Sequence, residues 1–122
     1  MFNATILEHF ERPRNAGELP PPAVKIEAAN PVCGDILHLW VVVDGGCIRQ
    51  VRFKAKGCVA AIASGSMLTE LIAGKVLEEA QQLSASEIAA ALGGLPPESG
   101  HAAELAEQVL KSALQMALTL RG

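Results

Sequence analysis

Two cysteines stand in turn-forming surroundings with other donor side chains close by. Cys33 lies in Asn30-Pro31-Val32-Cys33-Gly34-Asp35, where Pro31 fixes φ, Gly34 permits a sharp bend and Asp35 brings an oxygen donor two residues from the thiol. Cys58 follows Gly57 at the start of an apolar helical stretch. Free N–H groups and the helix dipole favour a thiolate there, and Lys54 and Lys56 add positive charge nearby. His101 follows Gly100 at the opening of the last helical stretch and can approach as a third or fourth ligand. Thiolates joined by an imidazole and a carboxylate are donors for zinc or iron, so the pattern points to metal or sulfur chemistry. Taken singly, the same residues read more plainly. A lone cysteine such as Cys47 is a small buried hydrophobe. His101 alone would be a helix-terminal surface residue, His9 and His38 belong to no motif and read as surface or strand residues, and Lys54 and Lys56 read as a solvated strand face.

The elements that must carry these residues follow from periodicity and punctuation. Ile6, Leu7 and Phe10 sit at helical spacing behind Asn3, and Pro13 ends that pattern. Residues 14–22, with Gly17 and Pro20-Pro21-Pro22, cannot be helical and read as an extended connection. Val24–Ala29 reads as a short edge strand, and the β-rich runs Leu37–Val43 and Cys47–Ala55 flank Gly45-Gly46, a strong two-residue hairpin signal. Residues 60–73 are apolar nearly all round and predict a buried helix stopped by Gly74. Ser84 with Glu87 predicts a capping box for a helix that Gly93-Gly94 ends, and residues 95–100 read as a loop. Residues 101–120 predict a long amphipathic helix with Leu105, Val109, Ala113, Met116 and Leu120 on one face and Glu104, Glu107, Gln108 and Lys111 on another.

A two-residue turn at Gly45-Gly46 pairs Asp44 with Cys47, and opposed residues in an antiparallel ladder keep a constant sum of residue numbers. Cys33 and Cys58 have the same sum, so an unbroken ladder brings both thiols out side by side at the open end of the hairpin. Cys47 sits at the turn, roughly 30 Å away for strands of about ten residues, and cannot join them.

Length and charge set the frame. A chain of 122 residues forms one domain able to fold around its own core without a metal or a disulfide. A net charge of −3 and four aromatic residues (Phe2, Phe10, Trp40 and Phe53) leave neither a basic field for phosphates nor a stacking platform, which argues against nucleic acid. The first residues lack a signal-peptide pattern, and the longest apolar run, Ile36–Val43, is broken by His38 and too short to span a bilayer. The expectation is a soluble, cytoplasmic chain with reduced cysteines and no membrane partner.

The chain resembles the NifU/IscU family of iron-sulfur cluster assembly scaffolds over nearly its whole length. The motifs that carry the resemblance are Ile6-Leu7-Glu8-His9-Phe10 with Pro13-Arg14-Asn15-Ala16-Gly17, the Cys33 loop, Phe53-Lys54-Ala55-Lys56-Gly57-Cys58 with Ala61-Ile62-Ala63-Ser64, and Leu95-Pro96-Pro97 followed by His101. The resemblance implies a single α+β domain over residues 1–122, with a three-stranded antiparallel sheet covered by helices and a long C-terminal helix. It implies a scaffold or carrier rather than an enzyme, which accepts iron and sulfur and passes a cluster to apo-proteins. Its partners would be a cysteine desulfurase, apo iron-sulfur client proteins and a second copy in a homodimer. By position, Cys33, Asp35, Cys58 and His101 match family ligands for a two-iron cluster or zinc. The family's third cysteine directly follows the histidine, and here that position is Ala102, for which Cys47 is no substitute. Val59 and Ala60 stand where Gly and Ser are usual. Glu98-Ser99 replaces the Val-Lys that completes the family's Hsp70-type chaperone motif, so that partner is not expected. An alternative is a zinc-binding, cluster-incompetent paralogue serving as a desulfurase adaptor or interaction module.

Overall fold

A computed structural model describes the backbone of residues 2–121 and the side chains of residues 2–119. The order of elements is α1 (Ala4–Glu11), β1 (Val24–Ala29), β2 (Ile36–Asp44), β3 (Cys47–Lys56), α2 (Val59–Ile72), α3 (Leu77–Gln81), α4 (Ala85–Ala91), a short 3₁₀ turn (Pro97–Ser99) and α5 (Gly100–Arg121). The three strands form one antiparallel sheet in the order β1-β2-β3. The α+β class and the long last helix are therefore as the sequence implies. Among the described residues no helix is long and apolar enough to cross a membrane.

Local chemistry explains the boundaries. Asn3 caps α1 by accepting from the Ile6 N–H at 2.9 Å, and Ser84 with Glu87 forms the full capping box of α4. Gly45 and Gly46 both take positive φ, as a hairpin turn twisted to match its strands requires. Asn15 also takes positive φ, and its carbonyl accepts from the Phe53 N–H while Gly17 donates to Phe53 O. The connection after α1 is thereby hooked onto the outer edge of β3. Nothing in the sequence announces α3, a single buried-edge turn anchored by Leu77 and Ala80. Five residues are too few to show a period.

One face of the sheet, bearing Leu37, Leu39, Val41, Val51 and Phe53, packs under α2 and α5 to form the core. α2 is buried along nearly its whole length, as its all-round apolar sequence requires. The buried face of α5 runs through Ala102, Ala103, Ala106, Val109, Leu110, Ala113, Leu114 and Ala117. Leu105, Val109 and Ala113 lie on it as expected, but Met116 is 41% exposed, since the contact stripe drifts to Leu114 and Ala117 near the helix end. Leu120 lies outside the described side chains.

The hairpin register departs from a constant sum. Asp44 pairs with Cys47 and Val43 with Ile48, but Val42 pairs with Gln50, so Arg49 is a bulge residue and every later pair is displaced by one. The bulge has a packing cause: Ile48 and Val51 are three residues apart yet both are buried, and an unbroken strand would send them to opposite faces. The ladder ends at Ile36 and Lys56, and its continuation sets Asp35 against Gly57 and Gly34 against Cys58.

Candidate metal centre

The open end of the hairpin meets the N-termini of α2 and α5, and the four candidate donors converge there around one carboxylate. Asp35 ends the Cys33 loop just ahead of β2 and is 4% exposed. The loop is held by Asn30, whose side chain accepts from the Val32 and Cys33 N–H groups. Asn30 N–H donates to Asp35 O, and Gly34 N–H to Asn30 O, which closes the turn. Cys58 is the N-cap residue of α2, and its backbone N–H donates to Asp35 Oδ1 at 3.3 Å while its thiol donates to Oδ2 at 3.2 Å. His101 Nε2 lies 3.4 Å from Asp35 Oδ2. One donor atom each from Cys33, Asp35 and His101 lie within 4.8 Å of one another.

The bulge displaces the expected pairing of Cys33 with Cys58, and each thiol instead engages the Asp35 carboxylate. Cys33 and Cys58 are both free and exposed as residues, whereas Cys47 is half-buried at the turn, bridged to Val76. Cys47 takes no part in the site. Lys54 turns to Glu18 at 2.6 Å and does not serve the thiol. His9, read from the sequence as a surface or strand residue, is instead buried: Nδ1 lies 2.7 Å from Ser66 Oγ and Nε2 lies 3.3 Å from Glu70. Its place one turn from Ile6 on a short helix was the available signal. His38 is a strand residue, half-buried and stacked on Trp40 at 5.9 Å between ring centres.

The electrostatics invert the expectation for Cys58. Burial of its sulfur raises the thiol above its ordinary value. The Asp35 hydrogen bond and charge raise it further, against the lowering effect of the Ala61 and Ala60 N–H groups. The helix start acts in the expected direction, but burial and the carboxylate outweigh it. For Asp35, burial is the largest influence and pushes the carboxyl up. The combined hydrogen bonds from the Cys58 thiol, Cys33, the Cys58 N–H and His101 prevail and hold it below its ordinary value. Without a cation the site is therefore a carboxylate that holds a protonated thiol.

The donor set suits a small cation. Donors on a tetrahedral ion with bonds of about 2.0–2.3 Å lie about 3.3–3.8 Å apart. The 3.2 Å from Cys58 Sγ to Asp35 Oδ2 and the 3.4 Å from Asp35 Oδ2 to His101 Nε2 are close to that spacing. Ala102, at the position after His101, is 1% exposed and packs against Ala60 and Ala61 in a small apolar cluster beside the site.

Comparison with known proteins agrees in sequence and in shape. Residues 1–119 match the model of the NifU-like N-terminal domain. The iron-sulfur cluster assembly scaffold protein IscU 1 of Archaeoglobus fulgidus is 38% identical over 114 residues, covering 93% of this chain and 74% of that protein. The scaffold protein IscU of Haemophilus influenzae is 39% identical over 117 residues, covering 93% and 92%. A crystal structure described only as that of a hypothetical protein superposes with a TM-score of 0.74 at 29% identity, covering 92% of this chain and 95% of that one. A structure from Fervidobacterium islandicum shares the fold with a TM-score of 0.78 at 24% identity, covering 93% and 96%. The chain belongs to the NifU/IscU-like family, that of the NifU-like N-terminal domain.

Proposed function

We propose that residues 1–122 act as one domain and form a non-enzymatic scaffold that assembles an iron-sulfur cluster, a two-iron cluster by donor count, and passes it to apo-proteins. The observation that carries this reading is the convergence of Cys33, Cys58 and His101 on the single carboxylate of Asp35. The relatives named as cluster assembly scaffolds support it. Cys33 or Cys58 receives sulfur from a cysteine desulfurase in the cytoplasm, and Asp35 with His101 completes the donor set. Apo iron-sulfur client proteins take the product, and a second copy of the chain is a further partner. Two thiolates hold iron firmly, whereas one oxygen and one nitrogen donor hold it weakly, which suits a cargo that must leave. Because the Cys58 thiol is protonated against Asp35, loading a cation releases a proton there.

A second reading, a zinc-holding desulfurase adaptor that builds no cluster, also has a specific observation in its favour. Donor atoms of Cys33, Asp35 and His101 lie within 4.8 Å of one another, close enough to share a single ion, and among the described residues the side of the site where residue 102 stands is a wall of Ala60, Ala61 and Ala102 that offers no further donor. Anaerobic reconstitution with iron, cysteine and a desulfurase separates the two. The scaffold reading expects a visible chromophore and bound iron in the natural chain, both lost in Cys33→Ala. No chromophore, with one tightly held zinc per chain, would sink it in favour of the adaptor.

A further inference from the structure

Asp35 and Gly57 face each other one step beyond the last ladder pair, Ile36 and Lys56. Gly57 has φ +148°, and a Cβ added to it would lie 2.1 Å from Asp35 Oδ1 and 2.6 Å from its Cγ. The space a side chain would fill is occupied by the carboxylate itself. That same carboxylate accepts from the Cys58 N–H and thiol, and meets His101 through Oδ2. An aspartate has few rotamers, so a residue with a Cβ at position 57 turns the carboxylate out of this place while leaving the strand pairing of β2 and β3 behind it.

We propose that Gly57 is a positioning residue: its missing side chain forms the cradle that sets the Asp35 carboxylate among Cys33, Cys58 and His101. The bulge at Arg49 belongs to the same device, because the displaced register is what sets Gly57, and not Lys56, opposite Asp35. An unbroken ladder would have set a charged, Cβ-bearing side chain there. Gly57 offers no donor of its own; a side chain there meets the Asp35 carboxylate in addition to the backbone strain that φ +148° imposes on any residue but glycine.

The test is a double-mutant cycle with Gly57→Ala and Asp35→Ala on the full chain, read in two ways. In the metal-free protein, Gly57→Ala is expected to lower Tm, and at least half of that loss is expected to vanish in the Asp35→Ala background, where the carboxylate no longer contests the space. If Gly57→Ala alone does not fold, refolding of the double variant is the supporting outcome and failure to refold overturns the proposal. With Co²⁺ as probe, Gly57→Ala is expected to bind about tenfold or more weakly, within the range for lost support of a ligand. Its absorption spectrum should match that of Asp35→Ala, and the double variant should be no worse. Equal Tm losses in both backgrounds, or a Gly57→Ala spectrum identical to that of the natural chain, overturns the proposal. The cobalt readout rests on the metal reading given under Proposed function. A natural chain that binds no Co²⁺ counts against that reading, and the metal-free cycle still decides the role of Gly57.

Discussion

The clusters around His9 and around Asp35 are each built on a histidine and a carboxylate, and they stand at opposite ends of what such groups can do. At the junction of α1 and α2, His9 lies between Ser66 and Glu70, the Arg14 N–H donates to Ser66 Oγ at 2.8 Å, and Asn15 donates to Thr69 Oγ1 at 3.1 Å. Each group there is engaged by another, and Ser66 and Thr69 are fully buried. At the hairpin mouth three donors share one carboxylate, and both cysteines are exposed as residues. The first cluster fastens helices together and the second is available to a ligand. Composition alone does not tell the two apart; the count of atoms already satisfied does.

The sharpest way to break the contrast is to remove one residue from each cluster. Cys58→Ala should weaken zinc or cobalt binding by more than about 100-fold, beyond the loss usual for an outer-shell partner, with little change in the Tm of the metal-free chain. His9→Ala should do the reverse. It removes the imidazole contact from Ser66, which keeps the Arg14 N–H, and from Glu70, and opens a void, so urea denaturation should show a loss of about 2–4 kcal/mol while cobalt affinity stays unchanged.

Acid acts on the two clusters at different pH. Burial is the main cause that lowers His9 from its ordinary value of 6.5, with Arg14 assisting, against the opposing pull of Glu70 and Glu8. The unfolded chain therefore takes up more protons than the folded one just below pH 6.5, so stability is complete above that pH and falls as acidification passes through the window. Asp35, held below its ordinary 3.8, keeps its contribution above that pH and loses it only at more acid values. Urea midpoints measured from pH 7.5 to 5 should fall for the natural chain and fall less for His9→Gln. Equal slopes would assign the titration to another group. The smallest effect is expected from Ala102→Cys. Its site is nearly closed by Ala60 and Ala61, so the added sulfur should cost about 1 kcal/mol in stability, and a reconstituted cluster should persist only slightly longer.

Much of this was legible in the residues. Asn3, Gly45-Gly46, Gly74 and the Ser84/Glu87 pair announce their caps and turns by chemistry that acts over a few positions, and the structure uses each of them. The donor residues were legible as types in turn-forming motifs. Their arrangement was not, because it depends on a single extra residue in β3. The clue was present in Ile48, Val51 and Phe53, whose spacing cannot keep all three on one face without a bulge. The ionisation of Cys58 is hidden from the linear chain for another reason. Helix position and nearby lysines are visible in a linear chain, whereas the burial of a sulfur against Asp35, 23 residues away, is a product of the fold. The burial of His9 is hidden in the same way, because its partners, Ser66 and Glu70, lie on a helix that follows the whole sheet.

The bulge also has a bearing on how this hairpin can vary. With Arg49 removed, Val43 with Ile48 and Val42 with Gln50 become consecutive rungs, and all pairs from there to the mouth remain as they are. The turn end of the hairpin can therefore shorten by one residue while the mouth keeps its partners. Relatives that differ by a single-residue deletion there can be aligned on the mouth, while Gly46 and Ile48 stay tied to the connection at Gly74, Lys75 and Leu77.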